Sequence, residues 1–333
     1  MSDRSTTPTT TVWALALGLT VGLAMGPSSP ALATPAAPLA VNVPDALRQA
    51  QGLAQAQQAL HAQAPLPPSP NRHAGPMPGA FSVRYAIYVH GLHVLTADVN
   101  YGFHPWGYGA NAHIYTIGVV SWFLNINRTA QATGLFSGTS VLPLHYESDG
   151  SFKGVKRHVV MDFPGHRPKV TLIVPAATDH EPLDPAQTQG AVDVMSGLAG
   201  LIHSLGTTGS CQLHEILFDG LRLTEINATG PVQTTVPDSD GLGDIPGEPP
   251  PNTPDDAPSA LRCDFMGHQI AGFTKGAPWK ADKMKPRPGH AWFRNIPGFG
   301  LIPVRIEVEY PGLGQVSIVL ESPPHHASEN DGR

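Results

Sequence analysis

Charge is scarce in this chain, and none of it is concentrated into a basic run. Charged side chains make up 14% of 333 residues, 20 Lys and Arg against 26 Asp and Glu. A net charge of −6 leaves no cationic footprint for the phosphates of a nucleic acid. Cysteine is limited to Cys211 and Cys263, so a C-x-x-C redox or zinc pattern is missing. H-E-x-x-H and G-x-S-x-G are missing too, which removes the commonest sequence signatures of a zinc peptidase and of a serine hydrolase. The apolar run from Val12 to Met25 has 14 residues, short of the roughly 20 a membrane-spanning helix needs.

What is abundant is Gly and Pro, 35 of each, alongside 41% apolar residues. That composition predicts a sizeable core interrupted by many turns rather than a helical bundle. Arg4, the short apolar run and the small residues of "PSSPALA" read as a secretion signal over Met1–Ala33, with Thr34 first after cleavage. The mature chain would then be periplasmic or secreted, without a transmembrane anchor. In such a compartment two cysteines are expected to pair, as a Cys211–Cys263 disulfide.

Residues 34–79 form a Pro-, Ala- and Gln-rich leader or linker. From Ala80 the apolar period changes to two. Phe81, Val83, Tyr85, Ile87 and Val89 share one face of a strand. Similar strands are expected at 93–103, 113–123, 127–136, 141–150, 155–163 and 169–175, with turns at Asp149-Gly150 and Pro164-Gly165. After one helix the pattern resumes at 213–230, folded back at Asp219-Gly220, and again at 260–267, 290–296, 302–310 and 314–322. A single β domain over 80–322 follows, with an acidic, Pro-rich insertion at 231–260 and a tail at 323–333. The insertion has eight prolines, six acidic residues and no basic one, so it reads as a solvated loop.

The helix is carried by "QGAVDVMSGLAGLIHSLG", residues 189–206. Val194, Met195, Leu198, Leu201, Ile202 and Leu205 fall on one face, a wall of the core or of a ligand cavity. Asp193 stands at the N-cap and Gly206 at the expected C-terminal stop. Ser196, Gly200, His203 and Ser204 fall on the other face. Ser196 and His203 lie about 10 Å apart along the axis, too far to form a nucleophile and base, so the small face is read as packing. His90 and His93 would point to opposite sides of a strand, and no cysteine accompanies them or His325-His326, so neither pair reads as a metal site. Arg222, Trp292 and Arg305 are expected at strand edges or snorkelling to water. No cofactor is expected.

The order of these landmarks resembles the periplasmic family known as domain of unknown function 3108 (DUF3108). The matching pieces are "VDVMSGLAGLI", Cys211 with "LFDGLRLTEI", Cys263 with "IAGFTK", and "LIPVRIEV", between about Phe81 and Ser322. Val194 stands where the family has Pro, and Leu221 interrupts its basic run. The resemblance implies a mainly β fold: a strongly curved, incompletely closed antiparallel sheet, similar to the half barrels of lipoprotein carriers, with one apolar helix packed on it. The family brings no reaction. The expected role is therefore non-enzymatic binding of an apolar ligand, or of an envelope protein partner segment, with an assembly scaffold as the alternative. A hydrolase is the remaining option, its groups drawn from Asp98, His113 and His145 by folding.

Overall fold

A computed structural model describes residues 80–152, 154–237, 259–277, 279–310 and 312–327. The segments expected to be a secretion signal and a leader, and most of the acidic insertion, lie outside the described residues. Among these residues fourteen strands form one antiparallel sheet that stays open, in the order β7-β6-β5-β4-β3-β2-β1-β13-β12-β11-β10-β9-β8, with β14 also on β1. The first half is a meander of hairpins: β1 (Phe81–Val89), β2 (Leu92–His104), β3 (Gly107–Thr116), β4 (Ile126–Ser137), β5 (Ser140–Phe152), β6 (Val155–Asp162) and β7 (Lys169–Val174). The second comprises β8 (Leu213–Phe218), β9 (Leu223–Thr235), β10 (Ser259–Ala271), β11 (Arg287–Ile296), β12 (Gly300–Tyr310) and β13 (Gly314–Leu320). A seam between β1 and β13, with Tyr85 opposite Leu320 and Val89 opposite Val316, joins the halves. The tail returns as β14 (His325–His326) on the start of β1.

Between the halves in sequence, and between them in space, lies helix α1 (Val194–Thr208), which touches β4 and β5 on one side and β8 and β12 on the other. Register shifts interrupt five ladders, and each such irregularity adds local bend and twist to its strand. The curling brings the β8–β9 turn against β6. A Cβ on Gly220 would sit 2.5 Å from Val159 Cγ1, so only glycine fits there, and its φ of 89° suits the turn. The outer edge of β8 is covered by a parallel bridge, with the Val192 amide donating to Ile216 O at 2.9 Å and Phe218 N–H to Val192 O at 2.8 Å. The Cys211–Cys263 disulfide is present, tying the segment before β8 to β10 across a separation of 52 residues.

Several expectations need correction. The strand expected at 113–123 is displaced: β3 covers Gly107–Thr116, and Gly118–Trp122 is a short 3-10 turn entered at Gly118 with φ 56°. The glycines of "GYGAN" hid the first half of β3, because they carry no alternation to read. Asp149-Gly150 is not a turn. β5 runs on to Phe152, and Gly150 faces Arg128 so closely that a Cβ would lie 2.3 Å from Asn127 O. Helix α1 continues two residues past Gly206, with the hydroxyls of Thr207 and Thr208 donating to the carbonyls of His203 and Ser204. Gly209 is the left-handed cap, at φ 69°. The paired strands also reach into the segment assigned to the insertion at both ends, since Thr235 pairs with Ser259. Arg222, Trp292 and Arg305 are not at edges: all three are buried, Arg305 completely.

Candidate functional site

One face of α1 and the concave side of β8 to β12 enclose a cavity of about 290 Å³. Its floor is apolar: Val194, Leu198 and Leu201 from the helix face Leu213 and Leu217 of β8, Ile226 of β9, Phe265 of β10, and Ile306 and Val308 of β12. The strand contributions recur every second residue because successive side chains alternate between the faces of a sheet. A smaller void of about 20 Å³ lies across the helix, against Val99, Tyr101 and Tyr146, and is bordered by Val194, Met195 and Leu198. Ile202 and Leu205 point elsewhere, into a cluster with Cys211, Ala228, Cys263, Ala291 and Phe293. The six apolar helix positions thus divide between cavity, void and core.

Polar groups gather at one end of the cavity. Arg222 is held by Asp219, whose Oδ2 accepts from Nε at 3.2 Å while Oδ1 accepts the amides of Leu221 and Arg222 at 2.9 and 2.7 Å. Arg287 spans Asp282 and Glu309, at 2.8 and 2.6 Å. Burial, reinforced by the nearby Arg222 charge, lowers the Lys283 ammonium to about 8. Glu215 stands inside the apolar wall of β8, and burial raises its carboxyl from the ordinary value.

The opposite side of α1, the small face, is packed. Ser196 and Ser204 are buried, and Gly200 admits Val141 of β5, whose Cγ1 would be 3.1 Å from a Cβ there. Gly197 likewise admits Leu217 of β8. Asp193 caps the helix, with the Ser196 amide donating to Oδ1 at 2.9 Å and the Ser196 hydroxyl donating to Oδ2. Tyr108 of β3 in turn donates to Ser196 Oγ at 2.5 Å. The three groups are a buried polar pin, and they lie among none of the cavity-lining residues. His203 is engaged elsewhere, stacked on Phe136 and bonded to Gly138 O at 2.9 Å. Ser196 and His203 therefore do not meet.

Full burial raises the Asp193 carboxyl from 3.8 to about 6 despite its hydrogen bonds. The folded state therefore holds this proton more tightly than the unfolded one. The stabilisation is complete below about pH 4 and lost as pH rises to about 6, a decline of about 3 kcal/mol for two pKa units. Asp193→Asn keeps a good N-cap and its amide donates to Ser196 Oγ. Denaturant titrations across that pH window are expected to show the decline in the parent and its loss in Asp193→Asn.

Asp98, His113 and His145 do not converge on a site. Asp98 and His113 are cross-strand partners, but Asp98 takes the Arg84 guanidinium at 2.6 Å and His113 bonds Asn127 Oδ1 at 2.9 Å. His145 belongs to a separate group on β5 and β6, bonded to Asp162 at 2.8 Å, beside the Glu147–His158 pair at 2.7 Å. Among the described residues no group of three or more His, Cys, Asp or Glu is placed to hold a metal ion, and no helix is long and apolar enough to cross a membrane. Sequence reasoning missed the strand-borne walls of the cavity. Their period-two spacing was visible, but which face lay inside was not.

The architecture is that of a mainly β protein built on an open, strongly curved antiparallel sheet. Among solved structures the chain is similar to a crystal structure of a β-barrel-like protein of domain of unknown function 1849 from Brucella abortus. The two share 12% identity over 73% of this chain and 96% of that one, with a TM-score of 0.41. No protein-family model and no curated protein matches.

Proposed function

We propose that this is an exported cell-envelope protein that holds an apolar ligand between α1 and strands β8 to β12, and that it belongs with the DUF3108 proteins its motifs resemble. The observation carrying the binding role is the cavity itself. Its size approaches that of sites for small ligands, about 300 to 1,000 Å³, its floor is apolar, and its few polar groups lie at one end. A disulfide suits an oxidising compartment, in keeping with the signal-like first 33 residues. The cavity draws its walls from α1 and from β8 to β12, so filling it from the helix side tests ligand contact directly.

Native mass spectrometry of protein purified from its own envelope, followed by solvent extraction, tests the reading. A noncovalent lipid-sized adduct is expected. Leu198→Trp, which fills the cavity from its helix wall, is expected to weaken retention at least about tenfold, equivalent to about 1.4 kcal/mol, while unfolding stays cooperative. Parent protein that carries nothing, or equal loading of parent and variant, would favour the scaffold instead.

A further inference from the structure

The most conspicuous surface feature is at the β3–β4 loop, where consecutive aromatics stand in water: Trp122 is 80% exposed and Phe123 82%. This loop is built, not slack. Val120 and Leu124 pack inward, the amides of Phe123 and Leu124 donate to Val120 O at 3.1 and 2.8 Å, and the Ser121 hydroxyl donates to Gly118 O at 2.7 Å. Holding Val120 and Leu124 in the core forces Val119, Trp122 and Phe123 outward. From Ile117 to Asn125 the loop has no charged residue.

The register shows what shares this end of the sheet. Val89 pairs with Leu92, Leu95 with Thr116, Ile126 with Phe152, Phe152 with Val155, and Gly267 with Arg287. The β1–β2 turn, the β3–β4 loop, the β5–β6 turn and the β10–β11 connection therefore all project the same way. Each ends in an exposed apolar tip: Leu92, then Val119 with Trp122 and Phe123, then Val155, then Met284. Lys156 follows Val155, and Lys283 and Lys285 flank Met284. The polar end of the cavity, with Arg222, Lys283 and Arg287, lies at this same end. At the far end Trp106 is exposed too, but it stacks on His104.

We infer that this end docks on the surface of a lipid bilayer, with Trp122 and Phe123 entering the headgroup region and the polar end of the cavity turned toward the lipid. Tips on four separate connections make no groove for a peptide, whereas a planar partner meets them all. Aromatic side chains beside lysines are the composition that settles at a membrane interface, the rings at headgroup level and the ammonium groups reaching to phosphate. The part given to the cavity rests on the binding role proposed above; the docking itself rests on the tips.

Cosedimentation with vesicles of phosphatidylcholine, alone or mixed with phosphatidylglycerol, tests the inference. The parent protein is expected to sediment with both, more strongly with the anionic mixture because of the lysines. Trp122→Ser/Phe123→Ser is expected to weaken binding at least about tenfold, or about 1.4 kcal/mol, with an unchanged melting temperature, since both rings are already in water. A parent that stays in the supernatant, or a double variant that sediments like the parent, overturns the inference. So does a parent dimer, seen by sedimentation velocity, that the double variant loses without vesicle binding, because the tips would then meet a second copy. Leu198→Trp separates the two readings: it is expected to empty the cavity and leave vesicle binding intact.

Discussion

Leu205→Asp is expected to unfold the domain. Leu205 is buried in the last full turn of α1, in the cluster that contains the disulfide and Phe293, and it does not line the cavity. A carboxylate placed there has no water and no cation. The unmet desolvation costs several kcal/mol, against a total stability of about 5 to 15 kcal/mol for a typical domain. Leu201→Asp, one turn earlier, is expected to be milder, because Leu201 also borders the open cavity. Far-UV circular dichroism and thermal melts check both. A Leu205→Asp variant that melts with the parent would mean that α1 is not wedged between the half-sheets.

Glu307→Leu should destabilise the protein more than removing the whole ion pair of which it is half. Arg305 has no exposure at all, and its Nε donates to Glu307 Oε1 at 2.7 Å. Leaving one member of a buried pair uncompensated costs about 3–5 kcal/mol, whereas replacing both with apolar groups of similar size is often close to neutral. Arg305→Met/Glu307→Leu is therefore expected to recover most of what the single variant loses. Urea unfolding of the set decides it. A single variant within about 0.5 kcal/mol of the parent, the range of ordinary surface changes, would show that other groups carry the Arg305 charge.

Strands were legible where every second residue is large and apolar. Phe81 to Val89 was read with its bounds intact because its alternate positions are large and apolar, and β12 and β13 were read to within two residues at one end each. Legibility failed where small residues did the work. β3 begins with glycines that no alternation marks, and it is Gly134 of β4 that leaves room for the Tyr108 ring bonded to Ser196. The helix was placed by its apolar stripe and by Asp193, and its small face was read as packing, but the wheel could not reveal which strands lie behind it. Buried arginines were unreadable for a related reason. Arg305 looks like a surface residue until the fold sets Glu307 beside it, and Arg222 until the turn folds Asp219 onto its guanidinium. For the candidate site, the helix wall was named in advance through Val194, Leu198 and Leu201. The facing wall depends on how tightly the sheet curls, a property of bulges and turn glycines spread over many strands.

The β1–β13 seam also dictates when the molecule can mature. Tyr85 donates to Pro303 O across 218 residues of chain, and β1 finds its second neighbour only when the final hairpin has been made. During vectorial synthesis or translocation, the first seven strands can zip as successive local hairpins, yet β1 stays an unpaired edge, open to trespass by another nascent copy. Closure over so long a span is slow relative to local hairpins. The last strands to emerge are thus the latch of the whole sheet, and a chain cut short before β13 would leave its first half folded around a bare margin.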